Sequence, residues 1–156
     1  YSSAAGGQNF SIRLVATVQS SQDVDWNFFV SSSAAGIEDQ LFFSGTSNFD
    51  GTMGTWTYYN LQTGDKVSDI DWEVGENATS IDFEVISDRN DNRGDTISYN
   101  VEGNTKTVVY FDASKDETST ISYNTETLAG FIISANYNGG AKSCWDENLN
   151  NTTCSE

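Results

Sequence analysis

The chain has no histidine, no proline and two cysteines, and its 7 Lys and Arg residues face 23 Asp and Glu. Each shortage removes a chemistry. Without imidazole there is no Ser-His-Asp or Cys-His triad, and most zinc sites are closed. With so few cations and a net charge of -16, nucleic acid is excluded as a partner, because phosphate binding needs clustered Lys and Arg. No apolar run is long enough to span a membrane as a helix. With no His and no further Cys, a metal site built on the two cysteines is not expected. The lack of proline is unusual for a chain that reads as all-β, since strand edges and turns ordinarily use it.

What remains is rich in aromatics. Nine Phe, seven Tyr and four Trp make 13% of the 156 residues. A chain of this length predicts one domain, and the aromatic content supplies a core despite the charge. The opening Tyr1-Ser2-Ser3-Ala4-Ala5-Gly6-Gly7-Gln8 has no apolar signal core, as expected where a signal or tether has been removed or where the chain is an excised fragment. Residues 1–9 read as a flexible tether and 10–156 as a single antiparallel β domain with a C-terminal disulfide hairpin. That hairpin would be closed by Cys144 and Cys154, which implies an oxidising, extracytoplasmic compartment, secreted or at the cell surface. Asn9-Phe10-Ser11, Asn77-Ala78-Thr79 and Asn151-Thr152-Thr153 fit the N-glycosylation acceptor pattern.

The hydrophobic period is two almost throughout. Ile12, Leu14, Ala16 and Val18 alternate on one strand, and Asp25–Val30, Gln40–Ser44 and Thr55–Tyr59 give further strands. Then Ile70, Trp72 and Val74, Ile81, Phe83 and Val85, and Ile97, Tyr99 and Val101 alternate with polar residues. Val108 and Tyr110, Ile121 and Tyr123, and Phe131, Ile133, Ala135 and Tyr137 continue the pattern. Connections of about five residues are too short for parallel crossovers. The fold class is therefore all-β, an antiparallel meander of about ten strands. So many strands should close into a barrel or fold into a two-layer sandwich.

Three constellations could carry chemistry. The first lies around Gly75-Glu76-Asn77, where the register predicts Asp71 opposite Asp82 and Asp69 opposite Glu84. Like charges so placed destabilise a sheet, and a hard cation such as Ca²⁺ would reverse the sign. The face is either that cation site or a solvated acidic surface. The second is Asp88-Arg89-Asn90-Asp91-Asn92-Arg93-Gly94-Asp95, either a calcium loop with oxygens at alternate positions or a polar hairpin loop. It departs from the EF-hand pattern, with Arg93 at the glycine position. The third is the aromatic set. Trp56, Tyr58, Trp72, Phe83, Tyr99, Tyr110, Tyr123 and Phe131 alternate as core residues. Phe28-Phe29, Phe42-Phe43, Tyr58-Tyr59 and Tyr110-Phe111 are adjacent, so strand geometry sends their members to opposite faces. Trp26 and Trp145 stand beside Asp25 and Asp146 as sugar-stacking candidates. Paired carboxylates could also serve a glycosidase, but no pair is singled out.

Gly54-Thr55-Trp56 at the head of the meander resembles the Gly-x-Trp signature of lipocalin-like (calycin) barrels. That resemblance implies a small apolar ligand inside a barrel. The short tether, Asn/Thr/Ser-rich meander and terminal disulfide resemble small cell-surface lipoproteins of Gram-negative bacteria.

Carboxylates and aromatics are thus the main functional vocabulary. They point to a non-catalytic binding module for a carbohydrate or small molecule, with Trp26, Trp72 and Trp145 as ligand-binding residues. Asp69, Asp71, Asp82 and Glu84 are the residues that would hold Ca²⁺. The alternative is a structural or assembly subunit, in a filament or surface complex, that joins other copies or surface proteins through its strand Phe10–Val18.

Overall fold

The computed structural model describes residues 2–5, 8–89 and 91–154, with side chains from Asn9 onward. It is all-β and antiparallel, with thirteen strands among the described residues. The surplus over the expected ten comes from the short strands at the two ends of the chain. Backbone contacts divide the molecule into two units, Tyr1–Asp71 and Trp72–Glu156.

The first unit holds β1 (Ser2–Ala5), β2 (Gln8–Val18), β3 (Asp23–Ser32), β4 (Ile37–Asn48) and β5 (Met53–Tyr59). Each pairs with the next. Residues 1, 6 and 7 of the segment read as a tether lie outside the described residues, while Ser2–Ala5 pairs with Gln8–Ser11. The turns follow from local side-chain chemistry. Ser20 Oγ accepts the N–H groups of Gln22 and Asp23 between β2 and β3. Asn48 Oδ1 accepts those of Thr52 and Met53 between β4 and β5. Such side chains replace the backbone bonds that a reversing chain loses.

The alternation expected from sequence makes this sheet two-faced. Ile12, Leu14 and Ala16 pair with Val30, Phe28 and Trp26 on the apolar face. On the polar face Thr46 donates to Asp25, Ser44 and Tyr59 share a hydrogen bond, and Thr57 donates to Asp69. Phe29 emerges on that face, as its adjacency to Phe28 predicts. Its strand partner Arg13 covers it, with the guanidinium 3.9 Å from the ring centroid. Arg13 also forms a two-point ion pair with Asp39, and the hydrogen bond raises the guanidinium pKa further.

Strand β6 (Lys66–Val74) carries the chain out of the first unit. The second unit holds β7 (Ala78–Val85), β8 (Thr96–Glu102), β9 (Thr105–Asp112), β10 (Glu117–Asn124), β11 (Gly130–Ile133), β12 (Ser143–Trp145) and β13 (Asn151–Thr152). These too pair in chain order. The β8–β9 turn has two residues and begins with Gly103 at φ 55°, the left-handed value such hairpins require. Cys144 and Cys154 form the expected disulfide, with Cα atoms 5.2 Å apart.

Two expectations are corrected. Within each unit the described ladders join only strands adjacent in sequence, and none returns from its last strand to its first. Neither unit therefore closes into a barrel. The aromatic residues also do not form a sealed core. Among the described residues only Val24 (6% exposed) and Val30 (8%), both on β3, are buried apolar side chains. Alternation fixes which face a ring occupies, whereas sealing that face needs another layer over it.

Candidate binding site

The apolar face of the first unit gathers the rings. Trp26 and Phe28 come from β3, Phe43 from β4, and Trp56 and Tyr58 from β5. The register aligns Phe28, Phe43 and Tyr58 in one row across the strands. Phe28 and Phe43 stack with centroids 4.7 Å apart and planes at 15°. Trp56 meets Phe43 edge-on at 4.9 Å. Such aromatic contacts add about 0.5–1.5 kcal/mol each beyond burial. All five rings are half-buried.

Phe42 joins them against the expected alternation. Phe28 pairs with Phe43 but Phe29 pairs with Leu41, so the register skips Phe42. This β-bulge cancels the face alternation between adjacent residues. Phe42 consequently touches Phe28 (6.1 Å), Phe43 (6.0 Å) and Tyr58 (5.7 Å, planes at 81°). A bulge is set by the ladder and has no mark in residue order.

At the Phe42–Tyr58 end of the row lies a cleft of about 520 Å³, lined by Ile37, Phe42, Tyr58, Tyr59, Asn60, Leu61, Gln62, Val67 and Ser68. Its loop is shaped by Asn60, whose Oδ1 accepts the N–H groups of Gln62 and Thr63. The backbone closes with Gly64 N–H on the Asn60 carbonyl and Asn60 N–H on that of Asp65. Gly64 stands at φ 75°, where glycine is without penalty. The same loop recurs after β10, with Asn124 in the place of Asn60 and Leu128 in that of Gly64. The shared Tyr-Asn-x-x-Thr of 59–63 and 123–127 is a sequence signal for both loops. No known protein family, curated protein or solved structure matches this chain.

The three tryptophans expected to bind ligand fall in both units. Trp26 is in the first unit, on the aromatic face, and its Nε1–H donates to the buried Ser47 hydroxyl at 2.9 Å. Trp72 and Trp145 belong to the second unit, Trp72 half-buried on β6. The Trp145 Nε1–H donates to the Leu128 carbonyl at 2.6 Å, and its ring lies against Gly130. Trp56, the tryptophan of Gly54-Thr55-Trp56, stands on β5 in the aromatic face.

Asp69 and Asp71 lie in the first unit, Asp82 and Glu84 in the second. Asp69 accepts from Thr57, while Asp82 and Glu84 stand opposite the hydroxyl residues Ser98 and Thr96 on β8. Among the described residues no group of three or more His, Cys, Asp or Glu could hold a metal ion. In the 88–95 loop, Asn90 lies outside the described residues and Asp88 pairs with Arg93. Asp95 is 8% exposed and accepts from the Tyr110 hydroxyl (2.8 Å) and the Ala113 N–H (2.9 Å). Its carboxylate thus ties the loop to β9, a long-range contact that sequence spacing does not mark. The acceptor asparagines Asn9, Asn77 and Asn151 are all exposed.

Proposed function

We propose that the protein is a non-catalytic binding module that takes a carbohydrate or small-molecule ligand in the Phe42–Tyr58 cleft. One observation carries this reading: a cleft of about 520 Å³ opens where an aromatic row ends, with amide and hydroxyl side chains beside the rings. Ligand sites of a few hundred cubic ångströms typically combine apolar walls with a few polar groups. No charged residue lines the cleft among the described residues, which suits binding better than acid–base chemistry. The disulfide supports an extracytoplasmic setting. The assembly reading is the weaker one, because Ser11–Val18 is already paired with β3 of the same chain.

Saturation-transfer NMR with a library of soluble glycans and small molecules tests the proposal. Ligands should give signals with the wild type and with Trp145→Phe, and lose them with folded Tyr58→Ala. Signals that survive both Tyr58→Ala and Phe42→Ala would place binding elsewhere and overturn it.

A further inference from the structure

We infer that the cleft takes an uncharged saccharide, an assignment that rests on the binding reading above. Charge comes first. The chain carries 30 charged side chains, 23 acidic and 7 basic, yet the cleft lining among the described residues has none. A bound carboxylate or phosphate would meet no cation there and would sit in the field of a molecule of net charge -16. A bound ammonium would find no carboxylate in the lining.

The lining then separates a sugar from a purely apolar ligand. Phe42 and Tyr58 stand nearly perpendicular, at 81°, and present aromatic surface suited to the C–H face of a sugar ring. Beside them are the Asn60 and Gln62 amides. Because the Asn60 oxygen serves its own loop, its amide nitrogen is what it can offer a ligand. An apolar ligand would take these groups out of water without replacing their hydrogen bonds, whereas sugar hydroxyls replace them.

Isothermal titration calorimetry with three probes tests the assignment: neutral gluco-, xylo- and manno-oligosaccharides, an oligogalacturonate, and neutral N-phenyl-1-naphthylamine. At least one neutral oligosaccharide should bind, about tenfold or more tighter than the uronate. Trp145→Phe, in the second unit, should keep that affinity, and Phe42→Ala should lower it about tenfold. Gln62→Ala, an exposed-loop change that spares the fold, should also weaken it. Equal binding of the uronate would overturn the uncharged assignment and leave the binding reading standing. Binding of the naphthylamine alone, lost in Phe42→Ala, would overturn the saccharide class in the same way. No binding by any probe would overturn both. Saccharide binding unchanged in Phe42→Ala and Gln62→Ala would also overturn the assignment.

Discussion

Trp56 lies across Gly45, its directly opposed partner on β4, so closely that a Cβ on Gly45 would fall 2.7 Å from the indole Cε3 and 1.9 Å from the Thr55 carbonyl oxygen. The second unit repeats the device. Trp145 opposes Gly130, where a Cβ would fall 2.5 Å from Cζ2 of the indole and 2.3 Å from the Ser122 oxygen. In both, an aromatic ring covers a glycine that leaves its own strand bare. Gly45→Ala and Gly130→Ala should each destabilise the protein by about 1–3 kcal/mol through overpacking. Urea midpoints followed by tryptophan fluorescence would show it, and an unchanged midpoint for both would refute the close approach.

Leu128 occupies, at φ 63°, the left-handed position that Gly64 fills in the matching loop. It is 47% exposed, so its side chain contributes limited packing. Leu128→Gly should therefore be neutral or stabilising by up to about 1 kcal/mol, whereas Gly64→Leu should cost about 1 kcal/mol or more. Opposite signs in thermal melts are the expected result. A loss of stability from both changes would show that side-chain packing outweighs backbone strain at Leu128.

The Cys144–Cys154 bridge closes a short loop, with a sequence separation of 10. By loop entropy its loss should cost ~3 kcal/mol, less any native strain. Differential scanning calorimetry of Cys144→Ser/Cys154→Ser against the oxidised wild type measures it. The local consequence should be faster amide exchange over β12 and β13 than over β3 and β4.

Two titrations give the pH profile a sign. The Tyr110 hydroxyl donates to Asp95, which holds its pKa above the usual tyrosine value. That stabilisation is full below the unfolded value of about 10 and is lost as pH rises through the folded value. Asp112 is held below the usual carboxylate range, chiefly because Lys115 and then Ser114 donate to it. Its stabilisation is full above about 3.9 and is lost as pH falls through the folded value. Tyr110→Phe should flatten the alkaline arm of Tm against pH, and Asp112→Asn the acid arm. Identical profiles for both variants and the wild type would contradict the assignment.

Asp95→Ala should cost about 2–3 kcal/mol, because it strands the Ala113 N–H and the Tyr110 hydroxyl together. Asp91→Ala, on the same loop but exposed, should change stability by less than about 0.5 kcal/mol. Chemical denaturation of the pair separates a loop anchored by Asp95 from one held by its charges in general.

The period-two pattern and the short connections were enough to determine an all-β antiparallel meander. Strand pairing is local here, each strand meeting the next, so residue order carries the topology. The two cysteines, close in sequence, likewise implied their bridge. Tertiary structure alone decided what fills the faces. The skipped register at Phe42 turns a ring that alternation sends away into the aromatic row. The burial of Asp95 joins residues 15 and 18 positions apart. The cleft between Ile37 and Ser68 depends on a bulge, a left-handed glycine and an asparagine-closed loop acting together. Periodicity reports which side of a strand a residue favours. Where two strands slip by one residue, and what then lies over a ring, is fixed by hydrogen-bond ladders and packing between distant parts of the chain.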